Sequence, residues 1–115
     1  MSSVTLYDDL VALKKLFEQP DVYCRAAYKR TDSSGVDHYC LAGGMMFVAG
    51  CTEFNSMMLL EPRVRAMYKA LRFKNSNDVM RYNDSLNTSQ NSVYARICIN
   101  LRHRGKPKPR KDKGT

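Results

Sequence analysis

The chain has no long apolar run. Its longest apolar segment, residues 41–51, is interrupted by Gly43, Gly44 and Gly50. It therefore falls short of the roughly 18 consecutive apolar residues that a membrane-spanning helix needs. The N-terminus also lacks the basic and apolar regions of a secretory signal peptide. These absences predict a soluble, cytoplasmic protein that does not bind membranes.

The cysteines lack the spacing of a metal site or a redox motif. Cys24, Cys40, Cys51 and Cys98 are separated by 16, 11 and 47 positions, whereas zinc knuckles and Cys-x-x-Cys pairs place two cysteines within a few residues. A phosphate-binding loop and the zinc deaminase signature are also absent. The apolar residues around the four cysteines predict that these are buried, free thiols. The sequence therefore predicts no metal and no cofactor.

Net positive charge is small over most of the chain and is concentrated at its C-terminus. The last fourteen residues carry +6 of the formal net charge of +8, while residues 1–101 hold twelve basic and ten acidic side chains. Gly105, Pro107 and Pro109, together with the absence of apolar side chains, predict a disordered arm over residues 102–115. The chain thus divides into one globular domain, the body (residues 1–101), and the basic tail (residues 102–115).

The body is predicted to be mainly helical, with three to four helices. Apolar residues at helical spacing predict a helix over residues 4–17, capped by Ser3 or Thr5 and stopped by Pro20. The apolar segment 41–51 predicts a central buried helix, and its glycines favour close packing.

Two further helices are predicted in the second half. One begins at Pro62 and extends to about Phe73. The other follows Thr88 or Ser89 and has an apolar stripe of Val93, Ile97 and Leu101. Residues 52–60 are predicted as an irregular loop, and the polar residues 75–88 as a loop with at most one helical turn.

One antiparallel β-hairpin is predicted between the first two helices. Residues 22–30 and 36–41 have strand composition, and residues 31–35 have turn composition. Pairing Arg30 with Val36 would place Val36 on the apolar face of the ribbon. A two-stranded ribbon needs a helix against that face, so the predicted class is α+β, a small single domain.

Asp37, His38 and Cys40 bring an acid, a base and a thiol within four residues. A nucleophilic cysteine needs a histidine within reach, but alternation along a strand points Asp37 away from His38. The pattern therefore favours a half-buried strand. A zinc site with Cys24 on the same face would need a fourth ligand from a remote cysteine. The sequence predicts no catalytic residue and no enzymatic activity.

Two sets of charged residues are predicted to stabilise the fold rather than to bind a ligand. Lys69, Arg72 and Lys74 gather where the third helix is predicted to end, and the helix dipole accounts for them better than a phosphate-binding role. Asp84, in the predicted loop before the last helix, is expected to make turn hydrogen bonds rather than to bind a cation.

The chain contains two short motifs, Cys-Leu-Ala-Gly at residues 40–43 and Tyr-Asn-Asp at residues 82–84. With the final helix after them, they resemble an uncharacterised family of small bacterial and phage proteins. The resemblance covers roughly residues 6–101 and leaves the basic tail outside. It implies a fold plan and a phage or mobile-element setting, and it implies no reaction.

The predicted site residues are the basic side chains of the tail. Each can approach a phosphate, and such contacts contribute affinity without sequence choice. No aromatic residue is interleaved with them, so base stacking on single strands is not favoured. The residues are Arg102, Arg104, Lys106, Lys108, Arg110, Lys111 and Lys113.

Two functions remain open from the sequence, and both are non-enzymatic. In the first, the body recognises a macromolecule and the basic tail contacts nucleic acid. In the second, a small phage-type protein binds and inhibits or redirects a host protein, and the tail only aids solubility. The Met-rich segment 45–58 is then the candidate surface if it is exposed.

Overall fold

A computed structural model describes residues 5–25 and 27–104. The described residues form five α-helices and one two-stranded antiparallel sheet, which confirms the α+β class and exceeds the predicted helix count by one. No described helix has the length and apolar character needed to cross a membrane. The elements are α1 (Leu6–Glu18), β1 (Lys29–Thr31), β2 (Asp37–Tyr39), α2 (Leu41–Val48), a 3₁₀ helix (Ser56–Leu60), α3 (Pro62–Ala70), α4 (Ser76–Asp84) and α5 (Gln90–Arg104).

Helix α1 begins and packs as its sequence predicts. The Thr5 hydroxyl accepts a hydrogen bond from the Asp8 amide, and the Asp8 carboxylate accepts one from the Thr5 amide, at 3.1 and 3.2 Å. This capping box satisfies two donors that a helix start otherwise leaves unpaired. The helix packs along α5. Its buried apolar residues are Leu10, Leu13, Leu16 and Phe17.

Helix α2 lies at the centre of the body, in contact with α1, α3 and α4. Glycine is required at its start, because a Cβ on Gly43 would lie 1.7 Å from the carbonyl oxygen of Tyr28. A Cβ on Gly44 would lie 2.7 Å from the ring of Phe17. The close packing predicted from these glycines is therefore present, and it positions the chain that leads into the hairpin.

The predicted hairpin register is wrong by two residues. Arg30 pairs with His38, not with Val36, which is 53% exposed instead of lying on an apolar face. The turn residue Asp32 explains the difference. Its carboxylate accepts hydrogen bonds from the amides of Ser34 and Val36, and its own amide donates to the Val36 carbonyl. Turn hydrogen bonds at Asp32 thus fix the register.

The first predicted strand is also too long. Regular pairing covers only β1, while the preceding segment runs parallel to β2. The Tyr39 amide donates to the Val22 carbonyl at 2.8 Å, and the Cys24 amide donates to the Tyr39 carbonyl at 3.0 Å. Tyr39 therefore pairs with chain on both sides, and the ribbon is locally three segments wide.

Helix α4 lies where a polar loop was predicted. The Asn75 side chain caps it by accepting a hydrogen bond from the Asp78 amide at 2.9 Å. Its buried face consists of Val79 and Asn83. Because one of these two residues is polar, the helix has no continuous apolar stripe for a periodicity argument to detect. Residues 52–60, also predicted as loop, contain the 3₁₀ helix.

Gln90, the first residue of α5, holds the chain that follows α1. Its side-chain oxygen accepts hydrogen bonds from the amides of Val22 and Tyr23 at 2.7 and 2.9 Å. Its side-chain nitrogen donates to the carbonyls of Phe17 and Gln19. One glutamine therefore satisfies four backbone groups, which lie in the last turn of α1 and in the segment that follows it.

Replacement of Gly43 by Ala tests the contact between α2 and Tyr28. We expect Gly43→Ala to lower the free energy of unfolding by about 3 kcal/mol, because a backbone carbonyl cannot move aside without moving the ribbon. Gly44→Ala is the matched control. It gains the same helix propensity but meets a side-chain ring that can shift, so it should lose about 1 kcal/mol. Urea unfolding measures both, and equal losses would contradict this account.

Candidate nucleic-acid interface

The seven predicted site residues lie at or beyond the end of α5. Arg102 is exposed on this helix, and Arg104 is its last residue. The helix thus continues three residues past Leu101, where the body was predicted to end. The other five predicted site residues fall outside the described residues: Lys106, Lys108, Arg110, Lys111 and Lys113. The arm was predicted to be disordered over residues 102–115, and its part from residue 105 onward also falls outside them.

Arg63 forms an ion pair with a residue of the body itself. Its guanidinium donates to both carboxylate oxygens of Asp9, at 3.1 and 2.7 Å, and Asp9 is only 4% exposed. The same group donates to the carbonyls of Val48 and Ala49 at the C-terminal end of α2. Arg63 therefore neutralises a buried carboxylate and also satisfies the end of a helix.

Arg96 has a similar role at the end of α3. Its Nε donates to the Leu71 carbonyl at 2.9 Å. Its guanidinium lies 4.0 Å from the ring centre of Phe73 and 4.9 Å from that of Tyr82. Both distances are within the range of cation–π attraction. Hydrogen bonding and stacking together fix the position of this charge.

Arg25 donates to the Thr88 carbonyl at 2.6 Å, in the loop before α5. Its Nε is buried and has no hydrogen-bond partner among the described residues. Three basic side chains on the surface also have acidic partners, in the pairs Lys14–Glu18, Lys29–Asp37 and Arg81–Asp78. Together with Arg63–Asp9, these pairs give part of the positive charge of the body an acidic partner.

The acid, base and thiol of residues 37–40 do not face one another. His38 Nδ1 lies 2.7 Å from the Asp21 carbonyl, and its Nε2 lies 2.8 Å from the Asp32 carboxylate. Asp37 accepts a hydrogen bond from the Thr31 hydroxyl. Cys40 caps α2, where its sulfur accepts a hydrogen bond from the Gly43 amide.

The chemistry of the thiols follows from burial. Burial raises the pKa of Cys40 to about 11, so the thiol stays protonated at neutral pH. Burial also raises the pKa of Cys24 and Cys51. Over residues 5–25 and 27–104, no three His, Cys, Asp or Glu side chains come close enough together to hold a metal ion.

The Tyr-Asn-Asp motif lies in helix α4 and not in a loop. Asn83 is 1% exposed, and its side-chain oxygen accepts a hydrogen bond from the Leu41 amide at 3.1 Å. Its backbone carbonyl accepts a hydrogen bond from the Tyr23 hydroxyl at 2.8 Å. Asn83 therefore connects α4 to the start of α2. Asp84, predicted to lie in a loop, is instead the last residue of α4.

Three surface cavities differ in charge. The first, about 630 Å³, has two acidic residues in its lining, Glu18 and Asp21, and no basic residue. The second, about 430 Å³, contains Arg25 and Asp84, which are of opposite sign. The third, about 260 Å³, has two arginines and no acidic residue in its lining, which consists of Leu71, Arg72, Arg96, Ile99 and Asn100. Sequence reasoning missed this third set, because only the fold brings α5 beside the end of α3.

No family model, curated protein or solved structure matches this chain. The resemblance of its short motifs to a family of small bacterial and phage proteins therefore stays a prediction. The function has to be inferred from the charges, contacts and exposed surfaces of the chain itself.

The pair His38–Asp32 gives a pH-dependent contribution to stability. The hydrogen bond that the imidazole donates to the Asp32 carboxylate raises the pKa of His38 above its ordinary value of 6.5. The stabilisation is therefore fully present below pH 6.5 and is lost as the pH rises through the raised pKa of the folded state. NMR titration of the imidazole should show a pKa above 6.5 that falls in Asp32→Asn. An identical pKa in the two proteins would disprove the pairing.

Proposed function

We propose that the chain is a non-enzymatic, cytoplasmic binding protein whose basic tail contacts nucleic acid without sequence preference. The observation that carries this proposal is the separation of charge. Residues 102–115 hold +6, whereas the body is nearly neutral. The pairing of Arg63 with the Asp9 carboxylate sharpens the separation, because that charge already has an acidic partner within the body.

The physical basis is the release of counterions from the phosphate backbone. Each phosphate that a Lys or Arg neutralises adds about 0.9 to the slope of log affinity against log salt concentration. Helix α5 supports the binding mode, because its packing on α1 anchors the start of the basic tail to the body. A double-stranded partner is favoured, since the tail has no aromatic side chain to stack on unpaired bases.

Neutralising the tail in the full-length protein tests this function. The variant replaces five residues by Gln, namely Lys106, Lys108, Arg110, Lys111 and Lys113. It leaves the described part of α5 unchanged. We expect the salt slope for a fluorescent DNA duplex of about 20 base pairs to fall by about 4, measured by anisotropy at roughly 50 to 200 mM salt.

The matched control exchanges Lys for Arg and Arg for Lys at the same five positions, which preserves the charge. It should bind with the slope of the natural sequence, because the backbone contact depends mainly on charge. An unchanged slope in the neutralised variant would reject the proposal.

A second candidate function, binding to a host protein, is favoured by exposed apolar side chains. Met57 and Leu60 on the 3₁₀ helix are 64% and 65% exposed, and Phe47 on α2 is 50% exposed. Met45 and Met46 are fully buried, so only part of the Met-rich segment is available to a partner. In this alternative, the chain is a phage-type protein that inhibits or redirects its target, and the tail serves solubility.

Substitution of Met57 and Leu60 tests this second function. We expect the double variant Met57→Ser, Leu60→Ser to lose a protein captured from a nuclease-treated bacterial lysate, because burial of both side chains contributes to binding. Val36→Ser, which removes an apolar residue of the hairpin that is 53% exposed, should retain it. Loss of every partner on nuclease treatment alone would reject this second function.

A further inference from the structure

Helix α3 ends in a Schellman motif. The Phe73 amide donates to the Tyr68 carbonyl, and the Arg72 amide donates to the Lys69 carbonyl, both at 3.0 Å. This pattern requires a left-handed backbone at the residue after the C-cap Leu71. That residue is Arg72, with φ of 75°. Glycine is the usual residue at this position, because it has no Cβ to clash.

The helix dipole does not explain an arginine at this point. Lys69 in the last turn of α3 and Lys74 just beyond it supply positive charge without a left-handed backbone. Arg72 is exposed, so its side chain is not held in the core either. A side chain kept at a conformational cost suggests a contact outside the domain.

Arg72 lines the cavity of about 260 Å³ described above, which we call the Arg72 notch. Arg96 supplies a second guanidinium, fixed by the Leu71 carbonyl and the rings beneath it. Asn100 is held in place by a hydrogen bond from its side-chain nitrogen to the Arg96 carbonyl at 2.9 Å. Two cations and no acidic residue around a small cavity are suited to a phosphate group.

The notch is adjacent to the basic tail. Ile99 and Asn100, on its wall, belong to α5, and Arg102 follows in the same helix. Ile99 and Arg102 are three positions apart in α5, so their side chains are neighbours on one face of the helix. A nucleic-acid backbone that contacts the tail therefore passes close to the notch.

We propose that the Arg72 notch binds one backbone phosphate of the nucleic acid that the basic tail contacts. Arg72 approaches the phosphate, and Arg96 provides a fixed charge behind it. This inference rests on the proposed nucleic-acid function and adds to it a contact from the folded body, which also orients the duplex relative to the domain.

Three full-length variants test the notch. Arg72→Gly removes the charge and relieves the backbone, so the melting temperature should rise by roughly 4 °C while the salt slope for the duplex falls by about 0.9. Arg72→Lys keeps both the charge and the backbone cost, so its slope should match that of the natural sequence. Arg65→Gln removes an exposed charge nearer the start of α3, outside the notch lining, and should leave the slope unchanged.

The outcomes separate the two proposals. If Arg72→Gly binds with an unchanged slope while the tail-neutralised variant does not, the notch is wrong and the tail function stands. An equal fall of the slope in Arg65→Gln would also overturn the notch, because it would show only an effect of net charge. If the tail-neutralised variant binds like the natural sequence, both proposals fail.

Discussion

The fold depends on the pairing of Asp9 with Arg63. The Asp9 carboxylate is nearly buried whereas the Arg63 side chain is 46% exposed, so removing Arg63 would leave a carboxylate in the interior without its positive partner. The same guanidinium also satisfies the last carbonyls of α2, so one side chain joins α1, α2 and α3. Arg96 likewise satisfies a backbone carbonyl at a helix end, because its Nε donates to the Leu71 carbonyl at the end of α3.

This use of arginine determines where charge remains for a partner. The body has nearly equal numbers of basic and acidic residues, and several of its arginines satisfy backbone carbonyls. The excess of positive charge is left at the end of α5. In the proposed function, the basic tail supplies non-specific attraction, and the Arg72 notch adds one phosphate contact that orients the duplex without reading its sequence.

The sequence predicted those features of the fold that are determined by residues close together in the chain. The cap at Thr5 and the apolar spacing that follows it were sufficient for α1. Strand and turn composition predicted that a hairpin is present, but not its register or the length of its first strand. Contacts between distant residues were not predictable, because nothing near Gln90 or Arg63 in the chain indicates its partners. Helix α4 was missed because its interior side includes the polar Asn83, whose partner is the Leu41 amide. The candidate site was predicted only as charge at the C-terminus, without the notch.

Amide chemical shifts during a titration of the full-length protein with a DNA duplex would test the central claim most directly. The account predicts that the largest changes occur over residues 102–115 and around Arg72 and Asn100, while the amides of α1 stay unchanged. Changes centred on Phe47 and Met57, or no changes at any residue, would contradict it.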